Sequence, residues 1–220
     1  IISQKPTKGM SMKIVLKVCL CFTFLVSIGC VSIQEPIAVE DGLYQDADRL
    51  LVVMEQIPQA TTHFPGADCL LCLLTAEGLH MTLGEHVETL KAEEFKLIES
   101  QIAAKLRENG LDVVISDEPV TVRDLPRAPS SGENMSSRDF TNLAAEHEAS
   151  HVLVISVNLI GISRAFASYI PTEEPVARVR GFGYLVDVRD GIFDWYQPFD
   201  VAQGVEGEWD QPPDFPKLTN

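Results

Sequence analysis

The sequence predicts an α/β fold of the α+β kind, with a mixed β-sheet of about five strands and two main helices packed on it. Three observations support this class: short runs rich in Val, Leu and Ile, one long amphipathic segment between two such runs, and an Asp-Gly pair between the last two. Short apolar runs favour buried strands, and apolar residues three or four apart favour a helix. The expected order is strand, helix, strand, helix, strand and hairpin.

The first predicted strand covers residues 68–75, a continuous apolar run that follows Pro65 and Gly66. A run of that length between turn residues is typical of a buried central strand. A loop is expected from there to about residue 89. Before it, residues 43–54 fit a helix while residues 50–54 also fit a strand, and the sequence leaves both open.

The most regular pattern predicts a helix over residues 90–109. Its apolar positions are helically spaced, and Gly110 follows as a stop signal. Residues 111–115 are then a strand, and residues 116–135 a loop. Ser136 or Ser137 is expected to cap a second helix. The apolar positions are Phe95, Ile98, Ile102 and Leu106 in the first helix, and Phe140, Leu143 and Ala144 in the second.

Two long β-branched runs, residues 151–162 and 176–188, predict the remaining central strands. Asp190-Gly191 then turns the chain into a strand over residues 192–196, which is a hairpin signal. Gly181 and Gly183 lack the third glycine and the following helix of a dinucleotide site. They predict a strand bulge or a close approach of backbone instead.

The charge of the chain excludes several classes of partner. The formal net charge is −15, and the only basic residues before residue 30 are four lysines. Without that segment, 13 basic and 32 acidic side chains remain, a charge of −19. Such a field repels phosphate backbones and anionic headgroups. We therefore expect neither nucleic-acid binding nor electrostatic docking on a membrane.

The N-terminal segment has the pattern of an export signal. From Met10 or Met12, one of which is expected to be the start, lysines precede an apolar stretch that ends at Gly29-Cys30. The stretch Val26-Ser27-Ile28-Gly29-Cys30 resembles the lipobox of bacterial lipoproteins, with Ser27 where leucine is usual. The resemblance implies lipid attachment at Cys30 after cleavage. Val31, in place of aspartate, implies the periplasmic face of the outer membrane. An ordinary secretory signal and an uncleaved helix anchor are the alternatives.

The predicted organisation is a signal region (residues 1–29), a lipidated tether with an N-terminal segment (30–67), an α/β domain (68–200) and an acidic, Pro-rich segment (201–220). The last segment is expected to be a linker, with a closing helix beyond it. Three features resemble the TolB N-terminal domain and curli secretion lipoprotein family. They are the strand before the helix that ends at Gly110, the strand that starts at Ala149-Ser150-His151, and the last strand from Gly191 to Trp195. That resemblance implies binding to envelope proteins or assembly into a homo-oligomer, without catalytic residues.

Cys69 and Cys72 have the spacing of a redox pair, but a redox pair belongs at a helix N-terminus, where the helix dipole lowers the thiol pKa. In the predicted strand the two residues would lie about 10 Å apart, beyond the roughly 7 Å that a disulfide allows. We therefore expect buried, unbridged thiols. A zinc site with His63, His80 or His86 is the minor alternative.

The sharpest motif is His147-Glu148-Ala149-Ser150-His151, which matches the zincin pattern. On a continuous helix, His147 and His151 could bind zinc and Glu148 could activate water, with Glu173 or Glu174 as a third ligand. The strand-forming run after His151 argues against that helix. We therefore expect a chance match and a non-enzymatic envelope lipoprotein without cofactor that binds protein partners. A membrane-tethered zinc metallopeptidase is the alternative.

Overall fold

The computed structural model describes residues 34–39, 48–91, 95–116, 118–205 and 207–219. The predicted signal segment with Cys30 and the ambiguous residues 43–47 lie outside these ranges. The strands are β1 Leu50–Met54, β2 Thr61–His63, β3 Val113–Ile115, β4 His151–Ser163, β5 Phe166–Ala167, β6 Ile170–Pro171, β7 Val176–Asp187 and β8 Phe193–Gly204. The helices are α1 Leu70–Leu79, α2 Met81–Thr89, α3 Lys96–Glu108, α4 Thr141–Glu146 and α5 Pro216–Thr219, with a 3₁₀ turn at Val122–Asp124.

The main sheet is mixed, in the order β3-β1-β4-β7-β8, and confirms the predicted fold class. Strand β1 lies parallel to both β3 and β4, whereas β4, β7 and β8 are antiparallel. Strand β2 pairs in parallel with the far end of β4. All of β1 is buried because both faces of the sheet are covered there, as its unbroken run of Leu, Val and Met requires.

Helices cover the two faces of the sheet. On one face, Leu50, Val52 and Met54 pack with Ala103 of α3. On the other, Leu51 and Val53 pack in a cluster with α4 and a group of aromatic rings. The alternation along β1 follows from the two-residue period of a strand. The aromatic members of the second cluster include Phe140, Phe182, Tyr184, Phe193 and Tyr196.

Several predicted elements are confirmed. Residues 50–54 form a strand, which was one of the two alternatives for this segment. Helix α3 lies within the predicted helix over residues 90–109. Gly110 adopts a φ of +91° after α3, as a helix stop does. The guanidinium of Arg107 donates to the Val113 carbonyl oxygen at 2.7 and 3.0 Å, which fixes the helix against the next strand.

The predicted strand over residues 68–75 is wrong. Residues 70–75 form the first turns of α1, and the rest of α1 with α2 replaces the predicted loop. A short apolar run lacks the periodicity that separates a strand from a buried helix, and here the helix forms. The caps assigned to Ser136 and Ser137 are also wrong. The Ser136 hydroxyl bonds within its own loop, and Asp139 Oδ1 accepts from the Thr141 backbone N–H at 2.9 Å.

The C-terminal residues are more structured than a linker. Strand β8 continues to Gly204, well past the predicted end near Tyr196. Phe215 and Leu218 are buried in a third apolar cluster with Leu83, Val87 and other residues. Their burial explains why this Pro-rich stretch folds back onto α2. In the described ranges, no helix is long and apolar enough to cross a membrane.

Candidate functional site

The site that carries the most unusual features is built around α1. The chain enters it through Pro65-Gly66, and Gly66 has a φ of +87°. A Cβ at residue 66 would collide with the Phe166 carbonyl oxygen, so only glycine allows this turn. Backbone bonds from Phe166 to Pro65 (2.8 Å) and from Ser168 to Gly66 (3.1 Å) hold the β5–β6 hairpin beside it.

A disulfide joins Cys69 and Cys72 at the start of α1, with Cα atoms 5.0 Å apart. Cys69 is the N-cap, and the Cys72 backbone N–H donates to its Sγ at 3.0 Å. The prediction of two buried, unbridged thiols is therefore wrong. It rested on strand spacing, whereas one helical turn brings the two residues within disulfide range. Cys72 is buried as expected, but Cys69 is exposed.

The inner side of α1 packs on a small apolar cluster. Cys72 and Ala76 lie against Phe64, Ala67 and Phe166. The Ser168 hydroxyl lies 3.2 Å from Cys72 Sγ. The disulfide therefore joins an exposed sulfur atom to a sulfur atom that faces the protein interior.

The outer side of α1 is apolar and uncovered. Leu70 is 77% exposed, Leu71 74% and Leu74 55%. With 3.6 residues per turn, these three side chains project to one side of the helix. A helix that is apolar all round is normally buried, so this surface is anomalous for a solvated helix. We call it the leucine surface; its members are Leu70, Leu71, Leu73 and Leu74.

The charged side chains that α1 and α2 themselves carry are acidic. Asp68, Glu77, Glu85 and Glu88 are exposed on α1, on α2 or just before them. From residue 50 to residue 90 the chain contains no lysine or arginine. We call these four carboxylates the acidic rim; the Arg164 guanidinium approaches the two helices at His80, between them.

The three histidines offered as partners of the cysteines have other neighbours, and His63 ends β2, where it pairs with Ser163 of β4. His80 is buried, with Nδ1 2.8 Å from the Ala76 carbonyl oxygen and Nε2 2.9 Å from Arg164 Nη1. Burial lowers the pKa of His80. His86 Nε2 lies 3.4 Å from Thr219 Oγ1. Within the described part of the chain, no three His, Cys, Asp or Glu side chains are grouped so as to hold a metal.

The zincin-like motif spans the end of a helix and the start of a strand. Helix α4 ends at Glu146, Glu148 has a φ of +52°, and His151 is the first residue of β4. The continuous turn that would place both histidines on one face is not formed. The Glu148 carboxylate instead accepts from Arg49 Nη1 at 3.1 Å. That the protein carries no zinc stays a prediction, which metal analysis of the purified protein tests.

Glu173 and Glu174 do not approach the motif. Both are exposed between β6 and β7, beside the end of β4 where Ser163 pairs with Val176. His151 begins the same strand, and 12 residues of extended chain span about 40 Å. The structure therefore does not bring the four proposed ligands together.

Sequence reasoning missed a buried polar cluster around His151. Its Nε2 lies 3.3 Å from Asp194 Oδ2 and 3.9 Å from Asp187 Oδ2, and its Nδ1 lies 2.9 Å from Ser150 Oγ. The sequence feature that could have revealed this cluster is a histidine at the start of a predicted buried strand, together with two aspartates in the predicted hairpin. Serine, histidine and aspartate are also the types of a hydrolase triad. Here, however, the Ser150 hydroxyl donates to the Arg49 carbonyl oxygen at 3.2 Å, and the imidazole of His151 is buried.

No protein-family model and no curated protein matches this chain. Among solved structures, it is similar to the PelC dodecamer from Paraburkholderia phytofirmans, with 16% identity over 78% of this chain and 82% of that one, at a TM-score of 0.32. It is similar to lipoprotein GNA1162 from Neisseria meningitidis, with 17% identity over 71% and 83%, at 0.33. The LpoB C-terminal domain from Escherichia coli shares 16% identity over 71% and 84%, at 0.28. At such TM-scores we base no functional statement on these likenesses.

Proposed function

We propose that the chain is a non-enzymatic, lipid-anchored protein of the bacterial envelope whose α/β domain binds a protein partner through the leucine surface. The observation that carries the proposal is the exposure of Leu70, Leu71 and Leu74 on one side of α1. Burying a leucine side chain gains about 1.5–3 kcal/mol. A partner that covers all three would therefore offset a large part of the cost of association.

The acidic rim indicates the chemistry of the partner. A second copy of the chain would bring two rims of the same sign together, and anionic lipid headgroups would be repelled in the same way. A polypeptide segment with an apolar side flanked by lysine or arginine complements both the leucines and the rim. We therefore propose a basic-flanked apolar segment, such as an amphipathic helix, as the occupant.

The proposed anchor is a lipid on Cys30, at the periplasmic face of the outer membrane. The support is sequence: the apolar stretch before Gly29-Cys30 and the valine after it. One lipid-modified residue tethers a protein without a spanning helix.

The experiment measures binding of synthetic peptides to the full-length protein by fluorescence anisotropy. One peptide is an amphipathic helix with a leucine side flanked by lysines, and the second has glutamates in their place. The double variant Leu71→Gln/Leu74→Gln should weaken binding of the lysine peptide at least tenfold, which corresponds to about 1.4 kcal/mol. The glutamate peptide should bind the unaltered protein at least tenfold more weakly.

The matched control alters two exposed apolar residues elsewhere, Leu97→Gln and Val201→Gln, which are 58% and 61% exposed. This control should bind like the unaltered protein. Equal weakening in both double variants would contradict the proposal. The proposal would also be contradicted if the unaltered protein formed a dimer, or bound neutral phospholipid vesicles, and only Leu71→Gln/Leu74→Gln abolished that interaction. The occupant would then be a second copy of the chain or a lipid.

A further inference from the structure

We propose that the Cys69–Cys72 disulfide is a thiol–disulfide exchange site that accepts cysteine-containing polypeptides. The exchange itself is inferred from the geometry of the two cysteines. Only the preference for polypeptides over small thiols rests on the proposed function of the leucine surface. The two parts therefore have separate tests.

The two sulfur atoms differ in accessibility. Cys69 is exposed at the tip of α1, whereas Cys72 is 5% exposed and packs against the cluster of Phe64, Ala67 and Phe166. A thiolate must approach a disulfide from outside, towards the sulfur that it attacks. Only Cys69 Sγ offers that approach, so Cys72 is always the leaving group.

The surroundings stabilise the thiolates that exchange produces. Cys69 is the N-cap of a ten-residue helix, and the Cys72 backbone N–H points to its Sγ at 3.0 Å. Helix N-termini lower the pKa of a cysteine thiol, which is the property that separates reactive from inert cysteines. The sulfur of Cys72 has a hydroxyl at 3.2 Å, that of Ser168, which can donate to it as it leaves.

The exchange conserves electrons and atoms. A thiolate of the substrate attacks Cys69 Sγ, the bond between the two protein sulfurs breaks, and a mixed disulfide forms on Cys69. The Cys72 thiolate takes a proton from solvent. A second thiol of the same substrate then attacks the mixed disulfide and releases Cys69. The substrate dithiol has lost two electrons and two protons, and the protein disulfide has become two thiols.

Apolar side chains surround the point of attack. Leu70 and Leu71 follow Cys69 directly, and Tyr169 and Ile170 follow Ser168 on the hairpin; all four are exposed. Such surroundings favour a cysteine embedded in an apolar polypeptide segment over a small hydrophilic thiol. This selectivity is the part that depends on the leucine surface.

The first test uses oxidised glutathione as the probe and the full-length protein with one cysteine replaced. Trypsin releases residues 50–91 as one peptide, because the first basic residue after Arg49 is Lys91, and it contains Cys69 and Cys72 alone among the cysteines. Cys72→Ser leaves the exposed thiol and should form a mixed disulfide on that peptide. Cys69→Ser leaves the buried thiol and should react at least tenfold more slowly.

Equal rates in the two variants, or no reaction in either, would overturn the proposal in favour of a purely structural bridge. A second measurement uses the unaltered protein, so it applies even if one of the variants fails to fold. The disulfide of the unaltered protein should be reduced by dithiothreitol without denaturant and without loss of circular dichroism. Reduction only after unfolding overturns the exchange site.

The second test compares two synthetic peptides that each contain one cysteine, flanked either by leucines or by glycine and serine. The leucine-flanked peptide should react with Cys72→Ser at least tenfold faster, and the added changes Leu71→Gln and Leu74→Gln should remove that advantage. Fast glutathione exchange without a peptide preference would leave the exchange site standing and overturn the selectivity alone, because binding of the lysine peptide tests the leucine surface separately.

Discussion

Asp187 and Asp194 face the same imidazole, yet their carboxyl groups have opposite pKa shifts. Burial raises the pKa of both, but at Asp187 the hydrogen bonds from the Arg189 side chain and backbone outweigh burial and lower it. The Arg189 backbone N–H donates to Asp187 Oδ1 at 2.8 Å. Among the described residues, Asp194 Oδ2 is buried without a hydrogen bond. One carboxylate is therefore stabilised and the other is not.

The shift at Asp187 gives a pH prediction. Its folded-state pKa lies below the ordinary 3.8, so its stabilisation is present above that value and is lost as the pH falls through the folded pKa. Asp187→Asn should lower the free energy of unfolding by about 1–3 kcal/mol at pH 7, because Arg189 loses an ionised partner. The difference should shrink below pH 3.8. Urea denaturation at several pH values measures it.

Asp194→Asn is the matched variant with the opposite sign. Its folded-state pKa is raised, so the ionised group costs stability above the folded pKa, and that cost disappears as the pH falls below the ordinary value. The variant should be more stable than the unaltered protein at pH 7 and not at pH 3. A loss of stability at pH 7 in both variants would show that the two carboxylates do not differ in this way.

At the scale of the elements, two glycines of β7 shape the pairing with its neighbours. A Cβ at Gly181 would collide with the Ser156 carbonyl oxygen, beside the register shift between Val157 and Leu159 of β4. A Cβ at Gly183 would lie 2.8 Å from the Trp195 ring on β8. The close approach of backbone, one of the two predicted alternatives, is therefore confirmed at Gly181, and the bulge lies opposite it in β4. At both glycines, atoms of the neighbouring strand occupy the space that a side chain on β7 would need.

Gly183→Ala should destabilise the sheet. The added methyl group must displace Trp195, and overpacking of this kind costs about 1–3 kcal/mol in the free energy of unfolding. Gly204→Ala is the control, since a Cβ at the end of β8 meets nothing within 4 Å. It should change stability by less than about 0.5 kcal/mol. Equal denaturation midpoints for the two variants would mean that the indole moves aside without cost.

At the scale of the whole molecule, the proposed location signal and the described fold lie in separate parts of the chain. The strands and helices described above all lie after residue 48, while the proposed anchor is a single cysteine in the N-terminal segment. Burial of Phe215 and Leu218 shows that the C-terminal residues belong to the fold. The proposed location can therefore be tested without disturbing the domain.

Lipidation at Cys30 is the prediction for the whole molecule. Cells expressing the protein and grown with a clickable fatty acid should label the unaltered protein and not Cys30→Ala, which should also leave the membrane fraction. Cys19→Ala, an altered cysteine of the same segment, is the control and should label normally. Equal label on both proteins would place the lipid on another residue, and no label on either would leave a secretory signal or a helix anchor.

The sequence by itself determined the elements with strong local signals. Helix α3 has regular apolar spacing and a glycine stop. Strands β4 and β7 are long runs rich in β-branched residues, which favour a strand over a helix. The same local reasoning placed His147 to His151 across a helix-to-strand junction, as the structure has it. In each case the information lies within one element, so it can be found without knowing the neighbours.

Only the tertiary structure decided the nature of residues 68–79. The run of leucines after Cys69 has no period, so local sequence fits a buried strand and a helix equally. The turn at Gly66, the hairpin at Ser168 and the buried contacts of Cys72 and Ala76 select the helix. That choice brings the two cysteines into bonding range and leaves the leucines in solvent. Both proposed sites therefore depend on contacts between residues distant in sequence, which no local pattern records.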